Sequence, residues 1–192
     1  MFDPGGMEQP LPTTYFRPRE SERGPYTEKK IGDEWVALWE TAALPEDAKV
    51  THVVVIAYRG DKPVLAWQSG RLSLPEGDVR EGEAAEDAVR RVVLEQCGIL
   101  EPAIRHLGHF KYTAGRLNQK YPEGTVVYDA LYGVEVGSLA DFPADRAYER
   151  RMVLQRDLNE VLRSSYIERR REYTDTLDRW LVERIKASMR AN

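Results

Sequence analysis

Cysteine is nearly absent from this sequence: Cys97 is the single one in 192 residues. One thiol excludes an internal disulfide and a thiolate cluster for structural zinc, and it fits a reducing, cytoplasmic setting. Long apolar runs are missing too. The longest, Val53 to Ala57, falls far short of the roughly 20 residues that a membrane-spanning helix needs. No basic segment followed by an apolar stretch opens the chain, so neither membrane insertion nor secretion is expected. Positive charge is in slight deficit, 28 Lys and Arg against 32 Asp and Glu, for a net charge of -4. That balance excludes nucleic-acid binding by general phosphate attraction, which needs a net basic surface, but it leaves room for a local basic pocket. The three histidines, His52, His106 and His109, show no metal-ligand spacing with Cys97 and are expected to be structural.

What is present suits one globular domain with appendages, at 42% hydrophobic and 31% charged residues. Five of the eleven prolines fall in residues 1–30, so this stretch reads as a tail, flexible or ordered by a partner. If it orders, Tyr15, Phe16 and Tyr26 need a surface to cover them, and a second copy of the chain is one candidate, hence a possible homodimer. Trp35, Leu38 and Trp39 stand at helical spacing and predict a short helix within residues 34–43. Val50 to Tyr58 and Val64 to Gln68 predict a hairpin around Arg59-Gly60-Asp61. Ala85, Ala88, Val89, Val92 and Val93 repeat at the positions of one helix face, and Gly98 supplies a stop, which predicts a helix from Ala84 to Cys97. Ile104 to Tyr112, Thr125 to Val136 and Met152 to Leu154 read as strands, Asp157 to Arg163 as a short helix. Tyr173, Leu177, Trp180, Leu181 and Ile185 form one stripe of a closing helix. The run Arg169-Arg170-Arg171, bracketed by Glu168 and Glu172, reads as a solvated face.

The loop and helix of residues 74–99 carry the strongest signal. Gly77, Glu83, Arg91, Val93, Glu95, Gly98 and Ile99 stand where the Nudix box places G, E, R, an aliphatic residue, E, G and an aliphatic residue. Five fixed positions agree by chance roughly once in a million windows of average composition, so two mismatches do not undo the match. The segment resembles the Nudix hydrolase superfamily. Its departures are Val92, where the glutamate after the arginine belongs, and Gln96, where the second of the paired glutamates belongs.

The resemblance, which covers residues 50–163, implies an α/β fold, a Nudix-type α/β/α sandwich with a mixed sheet; the domain is expected over residues 31–163, with residues 164–192 as a C-terminal helix packed on it. It also implies Mg2+ held by box carboxylates, since that ion prefers hard oxygen ligands and must neutralise a diphosphate before water attacks. Here only Glu95 retains a carboxylate at the three helical ligand positions, so a weak metal site is expected. In some family members a further ligand or base comes from outside the box, for which Glu149 is the best-placed residue, with Asp141 and Asp145 behind it. Gly77, Glu83, Arg91 and Gly98 take the structural roles of the box. For the ligand, Arg71, Lys111 and Arg116, with Lys120 nearby, are candidate contacts to a diphosphate, and Trp67, Tyr112 and Tyr128 can stack on a base. Three functions follow. One is a domain that binds a nucleoside diphosphate-linked small molecule with weak or absent hydrolysis; another is an active Mg2+-dependent hydrolase using Glu95 and Glu149; the third is an interaction scaffold.

Overall fold

The computed structural model describes residues 26–141 and 147–191, without the side chain of Ala191. Nine strands form one sheet: β1 (Lys29–Ile31), β2 (Trp35–Glu40), β3 (Val50–Arg59), β4 (Lys62–Gln68), β5 (Arg71–Ser73), β6 (Glu76–Asp78), β7 (Pro102–Ala114), β8 (Val126–Val136) and β9 (Glu149–Met152). Three helices accompany them: α1 (Ala85–Cys97), α2 (Gln155–Ser165) and α3 (Arg170–Ala191). The sheet runs β1-β2-β7-β8-β3-β4-β5, while β6 adds to β3 and β9 to β4. Among the described residues only β3 and β8 pair in parallel, so the sheet is mixed, as expected.

Alternation along β3 explains its unbroken apolar run. Val54, Ile56 and Tyr58 enter a core completed by Leu158 and Leu162 of α2 and by Tyr173, Leu177 and Trp180 of α3. Val53, Val55 and Ala57 enter a second core with Ala88, Val89, Val92 and Val93 of α1. A strand covered on both faces has no polar side to show in its sequence. The three valines of the α1 stripe are at most 1% exposed, which satisfies the expected α/β/α layering. Gly98 ends α1 at φ 64°, with its N–H donating to Leu94 O and that of Ile99 to Val93 O, a backbone state in which a β-carbon is disfavoured.

Residues 34–43 do not form the expected helix. Trp35 to Glu40 is strand β2, paired along its length with β7. Ala37 and Trp39, two apart, face the α3 core, where Trp39 packs edge-on against Phe110 and Tyr173. A six-residue ladder outweighs the helical spacing of three apolar side chains. The tail boundary at residue 30 also falls inside a strand, since β1 pairs with β2; Tyr26 packs on Trp39 and under Arg171 of its own chain. Tyr15, Phe16 and the rest of residues 1–25 lie outside the described residues, as does Asp145. The strand expected at Met152 to Leu154 begins earlier, so Glu149 sits within β9 opposite Trp67 and not in a loop.

Candidate active site

The loop between β6 and α1 is tied to the helix by one arginine. Arg91 Nε donates to Glu83 Oε1 at 2.7 Å and its Nη2 to Glu83 Oε2 at 2.8 Å, a bidentate pair, while Nη2 also reaches Asp78 O at 2.8 Å. Glu83 Oε2 accepts the backbone N–H of Arg80 at 2.9 Å as well. The Arg91 guanidinium, with that backbone donor, holds the Glu83 carboxyl well below its ordinary value, at about 2. The second carboxylate beside Arg91 is Glu95 at 3.6 Å, which Arg80 also approaches at 3.5 Å.

The two departures from the box are both structural. Val92 is 1% exposed and lies beneath Gly77, where an added β-carbon would stand 3.0 Å from Val92 Cγ2. Gln96 Nε2 donates to Glu76 O at 2.7 Å, and Gln96 Oε1 accepts from Glu76 N at 3.2 Å. The amide thus serves β6 as a neighbouring strand would, and it is buried in doing so. The three ligand positions implied by the box supply an aliphatic side chain, a neutral amide with both ends engaged, and one carboxylate paired with two guanidiniums. Among the described residues no three His, Cys, Asp or Glu side chains are arranged to hold a metal ion. Of the three positions only Glu95 offers a charged oxygen, the kind of ligand that Mg2+ prefers.

Beside the box an open cleft of about 2070 Å3 runs across the starts of β3, β2 and β8. Gly77 faces α1, so its neighbours Glu76 and Asp78 turn to the opposite side of the sheet. There they meet His52, whose Nδ1 lies 2.8 Å from Asp78 Oδ1 and whose Nε2 lies 3.8 Å from Glu76 Oε2. Burial lowers the His52 pKa, but Glu76, Asp78 and then Asp129 outweigh it, and the net shift is upward. Asp129, level with His52 on the parallel strand β8, accepts from Thr51 Oγ1 at 3.2 Å and from Arg169 Nη2 at 3.1 Å. Arg169 also donates to Tyr112 Oη at 3.0 Å and covers the ring of Phe110. Burial pushes the Tyr112 hydroxyl up to about 12.

The arginine run is solvated only in part: Glu168 and Arg170 are exposed, while Arg169 and Glu172 turn to the domain. Arg169 closes a short turn of 3-10 helix, Ile167–Arg169, that aims it back at the sheet, and Glu172 is buried against Lys29. The far wall is aromatic. Trp35 packs edge-on against Tyr112 and Tyr121, and Lys49 and Lys120 both lie over the Tyr121 ring.

Of the residues singled out from sequence, Glu83 and Arg91 pair within the box, Gly98 ends α1, and Glu83, Tyr112 and Lys120 line the cleft. Glu95, half exposed on α1, does not line it, nor does Glu149, whose Oε2 is engaged by Arg151 at 2.5 Å. Arg71 hydrogen-bonds Ser165 at the sheet edge opposite β1, and neither Lys111 nor Arg116 reaches the cleft wall. Trp67 lies under Arg151, and Tyr128 packs against His109 on β7. Sequence reasoning missed His52, Asp129, Arg169 and Lys49 as cleft residues. In the sequence Lys49, His52 and Asp129 show only as polar residues in or beside apolar runs, and Arg169 as one member of a charged run.

The family model for the NUDIX domain matches residues 48–145. The chain belongs to this family. Among solved structures it is similar to a mutant of the Bacillus subtilis pyrophosphohydrolase BsRppH, at a TM-score of 0.51 and 22% identity over 69% of this chain and 82% of that one. It is also similar to the NUDIX domain of Shewanella oneidensis NrtR complexed with ADP ribose, at 0.44 and 18% over 67% and 90%, and to a NUDIX hydrolase from Nitrosomonas europaea, at 0.41 and 21% over 58% and 77%. The first of these likenesses establishes the shared fold. No curated protein matches the chain. No helix among the described residues is long and apolar enough to cross a membrane.

Proposed function

We propose that this NUDIX domain binds a nucleoside diphosphate-linked small molecule and hydrolyses it weakly or not at all. The observation that carries the reading is the Gln96 amide bound at both ends to the backbone of Glu76. With Val92 buried under Gly77 as well, two of three ligand positions hold the fold together and have no charge to give a metal. Glu95 alone is left, and its carboxylate is already opposed by Arg80 and Arg91. A single carboxylate is a poor Mg2+ site, and without the ion neither charge neutralisation of a diphosphate nor an activated water is supplied.

Binding needs less. The cleft is large enough for a nucleotide-sized ligand, and it offers aromatic edges and faces at Trp35, Tyr112 and Tyr121 with cations beside them. The test is thermal melting with ADP-ribose, nucleotide sugars and dinucleotides, each with EDTA and with Mg2+, alongside product release. A ligand that binds only the folded state raises the melting temperature. The expected result is stabilisation in EDTA, little added by Mg2+, and no efficient turnover. Stabilisation that requires Mg2+, with product formation, would instead establish a working hydrolase in which Glu95 and Glu149 are the first carboxylates to replace.

A further inference from the structure

The charges lining the cleft are compensated unevenly. On the box side, Arg80 is opposed by Glu95, and on the floor Arg169 is opposed by Asp129 and His52 by Asp78 and Glu76. At the edge strand, Lys29 is opposed by Glu172. Lys30, Lys49 and Lys120 have no carboxylate partner among the described residues, and two of these three converge on one ring: Lys49 Nζ lies 4.9 Å and Lys120 Nζ 5.3 Å from the centroid of Tyr121.

That convergence is built by the backbone. Asn118 Oδ1 accepts the N–H groups of Lys120 at 3.0 Å and Tyr121 at 2.8 Å, and Asn118 Nδ2 reaches Glu34 O at 3.3 Å. Gly115 N also donates to Glu34 O, so the loop after β7 is pinned to the turn before β2. Trp35, one residue on, then meets the Tyr121 ring at 5.6 Å. Lys49 is placed from the other side, its carbonyl accepting from Tyr128 N at 2.9 Å just before β3 begins. The two ammonium groups about one ring attract anions to this part of the cleft, and Glu46 and Glu81, which share its lining, offset part of that charge. A diphosphate would supply the counter-charge that these lysines lack and leave an aromatic wall beside it for the rest of the ligand.

We propose that Lys49 and Lys120, flanking Tyr121, form the subsite that holds the diphosphate, beside the aromatic wall of the cleft. The inference rests on the reading of a diphosphate-binding cleft and assigns its anion contacts to residues other than Arg71, Lys111, Arg116 or the box. Among the described residues neither lysine makes an ion pair that the fold would lose, so Lys49→Gln with Lys120→Gln should melt like the parent.

The experiment is calorimetric titration in EDTA with inorganic pyrophosphate, ADP-ribose and adenosine. Loss of two charged contacts should weaken pyrophosphate and ADP-ribose by about tenfold or more. The Lys49→Arg, Lys120→Arg pair should restore binding, and Lys62→Gln with Lys186→Gln, an equal charge change outside the cleft, should leave it unaltered. Unchanged affinity in the glutamine pair, or loss of pyrophosphate binding on Arg80→Gln instead, overturns the subsite while the diphosphate-binding reading survives. Lysine-dependent binding of pyrophosphate without binding of ADP-ribose keeps the subsite and removes the nucleoside from the reading. Failure of the parent to bind either compound overturns both.

Discussion

Gln96 and Glu76 are joined by two hydrogen bonds, one in each direction, between the side-chain amide of the first and the backbone of the second. A glutamine can do this and an ionised glutamate cannot, because the pairing needs a donor and an acceptor on the same planar group. What looks in the sequence like a missing ligand is, in the fold, a fastening between α1 and β6.

The Gln96→Glu variant tests that fastening. An ionised carboxylate at this buried position would face the Glu76 carbonyl with no proton to offer, leaving one acceptor unsatisfied at a cost of about 1 to 3 kcal/mol. The expected outcome, by urea denaturation without metal, is a clear loss of stability at neutral pH that lessens in acid, where the carboxyl regains a proton. A variant as stable as the parent at pH 7 would show that the amide is dispensable.

A second relationship predicts a coupling. The added β-carbon of Gly77→Ala would stand 3.0 Å from Val92 Cγ2, so the Val92 side chain must give by a few tenths of an ångström inside a packed core. Overpacking of this kind costs about 1 to 3 kcal/mol. In a Val92→Ala background the obstructing methyl is gone, and the same glycine replacement should cost markedly less. A double-mutant cycle measured by denaturation reads the difference directly, and strict additivity would mean that the two residues do not touch.

These contacts mark the reach of sequence reading. The α1 stripe and the box loop are legible because their signals are local: a 3.6-residue period, a glycine stop, and an arginine eight residues after the glutamate it holds. Strand β2 is misleading because Trp35, Leu38 and Trp39 satisfy a helical spacing as well as they sit in a strand, and only pairing with β7 decides between the two. The cleft is illegible for a different reason. His52 and Asp129 become neighbours through the parallel pairing of β3 with β8, and Arg169 joins them from a turn after α2; no periodicity records such long-range register. The Arg169 run looks solvated in sequence because its flanking glutamates balance it, yet one of them, Glu172, is 1% exposed.

The Glu83 carboxyl gives a pH-dependent prediction. Its folded pKa is depressed from 4.5 to about 2, chiefly by the Arg91 pair and then by the Arg80 backbone. A group held below its unfolded value contributes stability that is fully present above the unfolded pKa and is lost as pH falls through the folded one. Glu83→Gln should therefore be less stable than the parent at pH 7, and the gap should close between about pH 4.5 and 2. Denaturation of both proteins across that range checks it; a constant gap would assign the loss to packing and not to charge.

The last prediction puts the missing charges back. Val92→Glu combined with Gln96→Glu restores three carboxylates at positions 92, 95 and 96, a donor set that Mg2+ accepts. Both positions are buried, so without metal the double variant bears the desolvation of two charges and loses the Glu76 fastening, and it should melt well below the parent. Added Mg2+ binds only the folded form and should recover part of that loss, whereas the parent should respond little. Hydrolysis of a diphosphate panel should then rise in the variant. Gln96→Glu alone is a weaker test, because it removes a fastening while supplying only two carboxylates, Glu95 and its own, the first still opposed by Arg80 and Arg91. If the double variant is destabilised and Mg2+ gives nothing back, the loop and helix no longer hold positions 92, 95 and 96 at metal-binding distance, and the weakness of the metal site lies deeper in the fold than two substitutions.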